Sequence, residues 1–282
     1  IYCDQVTISG HDNSPDSSEI REALAGFSPD PNAELAFYGG SFTCLPRERQ
    51  LYYLEAAQDA LSRGRIGGIR ISTRPDAVDK ETCDFLRSQG VVTVELGIQS
   101  FNDKVLQASL RGYDSSAALA GCQAVAESGL RLGVQLMTGL PGDSREYDLA
   151  SVDMAAKAGA RLLRIYPTLV LEHTPLAALY RRGKYYPQEL PEAVDTAAAM
   201  CMLAYNFHMT LIRVGLNPSA EVEAALVAGP YHPAFGGLVR ESIRQGQLRE
   251  LLSGMDNQDT AVLYFAKSEL PLITGYKRQA AE

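Results

Sequence analysis

No apolar run in these 282 residues approaches the roughly 18 that a membrane-spanning helix needs, which excludes a helical spanning segment. Paired cysteines are missing as well. The five present, Cys3, Cys44, Cys83, Cys122 and Cys201, are odd in number and scattered, so they form no disulfide framework and fit a reducing cytoplasm. There is no excess of positive charge. The net charge of −8 argues against a broad nucleic-acid surface, because phosphate contacts need clustered Lys and Arg, although it leaves room for a local basic patch. His173, His208 and His232 show no pairing at helical or turn spacing, so a histidine metal site is not expected. No signal peptide is visible; the chain opens on Ile1 rather than Met, which is compatible with removal of an upstream targeting segment. Low-complexity stretches and linkers are absent, and so are repeats other than a strand–helix rhythm.

What is present suits a large α/β domain. A hydrophobic fraction of 46% is ample for a sizeable core, and 21% charged residues is ordinary for a globular chain. Strand and helix signals alternate every ~25 to 35 residues, the rhythm of βαβ units. Strands are expected at Ala33–Tyr38, Gly68–Ser72, Val91–Gly97, Leu130–Met137, Arg161–Thr168 and Met209–Val214. The intervening helices include one from a serine cap at Ser17 to Ala25, one long helix from Pro46 to Arg63, and one from Pro191 to Phe207. Helical crossovers make the strands parallel, and right-handed crossovers curl them into an open barrel. Beyond Leu216 the rigid turn Gly229–Pro233 leads into a helix from Ala234 to Leu252, expected to lie against the barrel.

Chemistry-bearing residues gather at the expected strand ends, the face where β/α barrels place active sites. The run Leu35–Tyr38 reads as a buried strand stopped by Gly39-Gly40, where a bare backbone admits close approach of another group; a tight turn is the plain alternative. Ser72-Thr73-Arg74-Pro75-Asp76 follows the next strand and reads equally as a turn into a capped helix. Glu95 and Gln99 lie in an otherwise apolar strand end, and Gln135 is alone among apolar neighbours; buried polar groups of this kind need partners. Arg111 is either a solvated helix-end residue or an anion ligand. Arg164 and Tyr166 share one face of a strand that a barrel turns inward, and Arg213 lies in the last strand. A buried arginine needs a carboxylate such as Glu95 or an anionic ligand. The run Arg181-Arg182-Gly183-Lys184-Tyr185-Tyr186 offers an outer basic and aromatic patch.

Together, Tyr2-Cys3, Gly39-Gly40-Ser41, Glu95–Ser100 and Met137–Gly142 resemble the radical S-adenosylmethionine (SAM) enzymes. The resemblance implies an open parallel partial (β/α)6 TIM-like barrel lacking its first strand, with a small C-terminal helical extension. It implies a core over residues 1–215, incomplete at its N-terminus, and an extension over 216–282. It also implies a [4Fe–4S] cluster with Cys3 as an iron ligand, the third cysteine of a CxxxCxxC loop whose first two would precede Ile1. For SAM it implies that the Gly39-Gly40 backbone meets the methionine amino group, although Ser41 stands where the family often has an acid. Arg111 then meets the methionine carboxylate, Ser72 and Gln135 meet the ribose, Gln99 lies beside the cofactor, and Gly139 and Tyr2 meet the adenine.

Ser72–Pro75, Glu95–Ser100, Arg164–Val170 and Gly183-Lys184-Tyr185 resemble one subgroup, the radical SAM domain of Elongator protein 3, over most of the chain from Cys3 to Val214. That family acts on the wobble uridine of tRNA. The resemblance therefore implies a cytoplasmic enzyme with tRNA as substrate, Arg164 and Tyr166 as candidate catalytic residues, and an electron donor such as flavodoxin or ferredoxin. The stretch after Leu216 is too short for the acetyltransferase domain that eukaryotic members carry, which puts the acetylation half of that activity in doubt. Two alternatives stand beside this reading. One is a radical SAM enzyme acting on a small molecule, as coproporphyrinogen oxidase does; the other is a non-catalytic barrel that binds RNA or a partner.

Overall fold

A computed structural model describes Ile1, residues 15–253 and isolated positions between 262 and 272. Helix α1 (Ser17–Gly26) opens the described chain, and Asp16, rather than the expected serine, caps it. The Asp16 carboxylate accepts from the Ser18 and Glu19 amides at 2.7 and 2.9 Å, while Glu19 accepts from the Asp16 amide at 2.9 Å. An acid followed three residues later by glutamate satisfies both ends of a capping box. Strand β1 (Asp30–Phe37) follows. The single long helix expected next is two, α2 (Arg47–Ala56) and α3 (Gln58–Ser62). The ladder tightens at Ala57, whose amide donates to Leu54 O.

Strand and helix then alternate: β2 (Ile66–Thr73), α4 (Lys80–Ser88), β3 (Val91–Gln99), α5 (Asp103–Ala108), α6 (Ser115–Glu127), β4 (Arg131–Thr138), α7 (Arg145–Lys157) and β5 (Leu162–Pro167). A two-residue strand β6 (Val170–Leu171), α8 (Pro175–Arg181) and α9 (Leu190–Asn206) lead to β7 (Thr210–Val214). Helix α10 (Ala220–Ala225), β8 (Leu226–Ala228) and α11 (Phe235–Leu252) complete the fold. The main sheet has six parallel strands in the order β1-β2-β3-β4-β5-β7, a curled half-barrel as the sequence led us to expect. Strands β6 and β8 form a separate antiparallel ribbon that two apolar residues could not announce.

Strand alternation divides the sheet into two unlike faces. Ile69 and Ile71, Val94, Leu96 and Ile98, Leu132, Val134 and Leu136, and Leu163 and Ile165 are buried in one cluster with Leu54, Leu86, Val125, Val152 and Met200 of the helices. The alternate residues are Arg70 and Ser72, Thr93 and Glu95, Gln135, and Arg164. A parallel sheet covered on both sides reads as continuous apolar runs; these strands do not, because their second face lines the concave interior. Strand β1 is only half-buried, contrary to the buried strand expected, since it is one of the two edge strands of the described sheet. Helix α11 lies against β7: a Cβ on Gly236 would stand 2.8 Å from Val214 O. Among the described residues no helix is long and apolar enough to cross a membrane.

Candidate active site

The C-terminal ends of β1 to β5 bring most of the expected site residues to one edge. Beyond β1, Gly39 takes a left-handed conformation (φ +99°) and Gly40 does not, yet a Cβ on either would meet none of the described residues within 4 Å. The open space before this backbone is what close approach of another group requires. Ser72 on β2 is in register with Glu95 on β3. Past a bulge between Gly97 and Gln99, Gln99 is 5% exposed and held at φ +72°. Its Oε1 accepts from Gln135 Nε2 at 3.1 Å. A left-handed conformation is uncommon outside glycine and costs roughly 1–2 kcal/mol, so this residue stores strain at the strand end.

Arg111 is fixed over the same edge. Its Nη2 donates to Gly97 O and its Nε to Tyr113 Oη, each at 2.9 Å. Arg74, which grips Asp76 through Nε and Nη2, also donates to the carbonyl of Arg111 at 2.8 Å. At the end of β4, Gly139 (φ +71°) accepts at its carbonyl from Tyr185 Oη at 2.6 Å.

Below this rim, two carboxylates organise the concave face. Glu95, 2% exposed, accepts from Tyr38 Oη at 2.7 Å, from Arg70 Nη1 at 2.8 Å and from Arg164 through both Nε and Nη2. Burial pushes the Glu95 carboxyl up, but the hydrogen bonds from Arg164, Tyr38 and Arg70 outweigh it and hold the group below the usual carboxylate range. Glu34 accepts from Arg70 Nε at 2.7 Å, Thr93 Oγ1 at 3.1 Å and Arg131 Nη1 at 2.8 Å. The Arg164 guanidinium lies 4.7 Å from the centre of the Tyr38 ring and donates to Tyr166 Oη at 3.3 Å. Burial, then the Glu95 carboxylate, push the Tyr38 phenol up to about 12.

Of the two partners open to Arg164, the carboxylate is therefore present, and burial alone no longer demands an anionic ligand. Arg213 donates to Gly215 O at 3.0 Å and to Asn217 Oδ1. The outer basic patch is corrected in part. Arg181 is paired with Glu172 and Tyr185 is 6% exposed, leaving Arg182, Lys184 and Tyr186 outward. Sequence reasoning passed over Tyr38, Glu34, Arg70, Thr93 and Arg131. Charges alternating with apolar residues, as in Ile69-Arg70-Ile71, were the available signal.

Tyr2 and Cys3 lie outside the described residues. Cys83, Cys122 and Cys201 are buried, and burial pushes their thiols up, to about 11 for Cys83 and about 12 for the other two. They are packing residues, as expected, whereas Cys44 is exposed. Among the described residues no group of His, Cys, Asp and Glu could hold a metal ion, so they offer no donor set for an iron–sulfur cluster. The strand-end rim, by contrast, gathers open glycine backbone, a pair of facing amides and a positioned guanidinium.

Comparison with known proteins identifies the family and the fold. The model of the Radical SAM superfamily matches residues 1–155, and that of the Radical_SAM C-terminal domain matches residues 160–245. The tRNA uridine(34) acetyltransferase of Methanocaldococcus infernus is 27% identical over 59% of this chain and 35% of its own length. Elongator complex protein 3 of Drosophila melanogaster is 30% identical over 63% of this chain and 36% of its own. The chain thus spans about a third of these relatives. Among solved structures, an N-terminally deleted archaeal Elongator protein 3 from Methanocaldococcus infernus superposes with a TM-score of 0.72 at 25% identity, covering 83% of this chain and 58% of that one. Coproporphyrinogen III oxidase from Escherichia coli, at 19% identity and a TM-score of 0.52 over 68% of this chain and 44% of that one, shares the fold. The chain belongs to the radical SAM superfamily of enzymes, a membership that implies a [4Fe–4S] cluster and SAM as its cofactors.

Proposed function

We propose that this chain is the core of a cytoplasmic radical SAM enzyme that modifies the wobble uridine of tRNA. Residues 1–215 form its catalytic core and 216–282 an extension against the barrel. A cluster and SAM held here would supply the radical chemistry that takes hydrogen from a substrate. The chain's own part is to bind and orient. Cys3 serves as an iron ligand, the Gly39-Gly40 backbone receives the methionine amino group, and Arg111 receives the carboxylate. Ser72 and Gln135 take the ribose, Gln99 lies beside the cofactor, and Gly139 with Tyr2 takes the adenine. Arg164, locked to Glu95 and Tyr38, and Tyr166, which accepts from Arg164, present a polar wall to the substrate. Arg182, Lys184 and Tyr186 meet RNA outside the barrel, and a flavodoxin or ferredoxin delivers the electron.

The observation that carries this reading is the convergence of open glycine backbone, the Gln99–Gln135 pair and Arg111 on one edge of the half-barrel. The RNA substrate is supported by the names of the two curated relatives. Calorimetric titration of SAM into cluster-reconstituted full-length protein tests the cofactor site. Gly40→Val fills open space without backbone strain and should abolish binding. Arg111→Ala removes a charge-assisted contact of about 1.5 to 3 kcal/mol and should weaken binding on the order of tenfold to a hundredfold. Unchanged affinity in both variants would refute the site.

A further inference from the structure

The segment between α8 and α9 touches the cofactor edge and solvent with successive residues. Its first turn is fixed by Gly183 N donating to Tyr180 O and Lys184 N to Leu179 O, each at 2.9 Å. Lys184 and Tyr186 then point outward, while Tyr185 between them is buried, the two-residue alternation of extended chain. Tyr185 Oη donates to Gly139 O at 2.6 Å. Burial, then the nearby Asp143 carboxylate, push its phenol up, so it stays a donor. Three residues on, Gln188 lies across Gly139: a Cβ there would meet Gln188 Oε1 at 2.7 Å and its Cδ and Cγ at 3.0 Å. That Oε1 is buried and without a hydrogen-bond partner among the described residues, so its contact with Gly139 is steric. Residues 181–188 thus give Gly139 one polar and one steric restraint, beside the hold that the Asp143 carboxylate has on the loop backbone. The same segment carries Arg182 and Lys184, which form no ion pair among the described residues.

We infer that residues 181–188 are a strap through which a polyanion docked on Arg182 and Lys184 sets the loop beginning at Gly139, with Tyr185 and Gln188 as positioning residues. The inference rests on the proposed reading that this loop meets the adenine and that the basic residues meet RNA. It makes RNA binding and SAM binding cooperative, since a ligand that orders the strap also orders the loop.

The test uses cluster-reconstituted full-length protein, with SAM affinity measured without and with saturating tRNA, and amide hydrogen exchange followed at residues 139–143. In the wild type, tRNA should tighten SAM binding by about fivefold or more. Tyr185→Phe keeps the buried ring and should leave tRNA affinity intact, while abolishing the tightening and speeding exchange in the loop. Gln188→Ala should act in the same direction. If wild-type protein binds tRNA with no effect on SAM affinity, the strap is refuted although the substrate reading stands. If wild-type protein does not bind tRNA, the substrate reading fails. Loop exchange then decides the strap alone: faster exchange in Tyr185→Phe supports its hold on Gly139, and unchanged exchange overturns it.

Discussion

Gly133 on β4 stands opposite Glu95 on β3, and a Cβ on Gly133 would lie 2.8 Å from Glu95 Cγ. The missing side chain makes room for a buried carboxylate that takes hydrogen bonds from Tyr38, Arg70 and Arg164. One small residue thereby lets three strands and the residue after a fourth meet at a single group inside the half-barrel. Gly133→Ala should push Glu95 off its partners and cost about 1 to 3 kcal/mol, the range for overfilling a close-fitted interior. Urea unfolding of the two proteins measures this, and equal midpoints would show that the network yields freely.

Removing the carboxylate is the harsher change. Glu95→Ala leaves the Arg70 and Arg164 guanidinium groups, each 15% exposed at the side chain, without their shared anion. Breaking a buried pair from one side costs about 3 to 5 kcal/mol. Glu95→Gln keeps the shape and tests pH. Because the folded Glu95 carboxyl lies below its ordinary range, its stabilisation is present above the unfolded value of about 4.3 and is lost as pH falls through the folded value. Wild-type stability should therefore decline in acid more steeply than that of Glu95→Gln. Parallel acid limbs would show that the charge contributes nothing.

A second carboxylate pair works with the opposite sign. Burial raises the carboxyl groups of the neighbouring Asp143 and Asp148, Asp148 the more because the Asp143 carboxylate adds to it. Among the described residues Asp148 Oδ2 has no donor, as expected of an atom that carries the proton itself. A raised folded pKa gives stability that is present below the unfolded value of about 3.9 and is lost as pH rises through the folded one. Asp148→Asn mimics the protonated acid, so it should stabilise the protein at pH 8 relative to wild type and flatten the alkaline side of its stability profile. A lower melting temperature for the variant at pH 8 would contradict this protonation state.

Much of the fold was legible because its signal is local. Apolar runs ending in glycine or polar turns announced all six strands of the main sheet, and their parallel order followed from the helices between them. The two-residue ribbon β6–β8, the break at Ala57 and the choice of Asp16 as cap were not legible, since competition between neighbours or long-range pairing decides them. At the site, residues flagged as polar in apolar strands, Glu95, Gln99, Gln135 and Arg164, do line the concave face. Their pairing was only half visible: Glu95 was named as one of two partners for Arg164, but neither the alternation around Arg70 nor the position of Tyr38 foretold a shared acceptor. The left-handed backbone of Gln99 had no sequence signal at all, because only the bulge against β4 imposes it.

That backbone supports the last prediction. If Gln99 is kept in a strained conformation to serve the cofactor, relieving the strain should separate stability from binding. Gln99→Gly removes a left-handed penalty of roughly 1–2 kcal/mol and loses the hydrogen bond from Gln135, worth about 1 kcal/mol. The two nearly cancel, so urea unfolding should show a change within about 1 kcal/mol. SAM affinity of the reconstituted protein should nevertheless fall, because the amide beside Gln135 is gone. Gln135→Ala is the control: it keeps the strain, loses the same hydrogen bond and leaves Gln99 Oε1 without its donor, so it should weaken both stability and SAM binding. A Gln99→Gly protein that binds SAM as tightly as wild type would show that the strained residue is a structural consequence of the bulge and plays no part in the site.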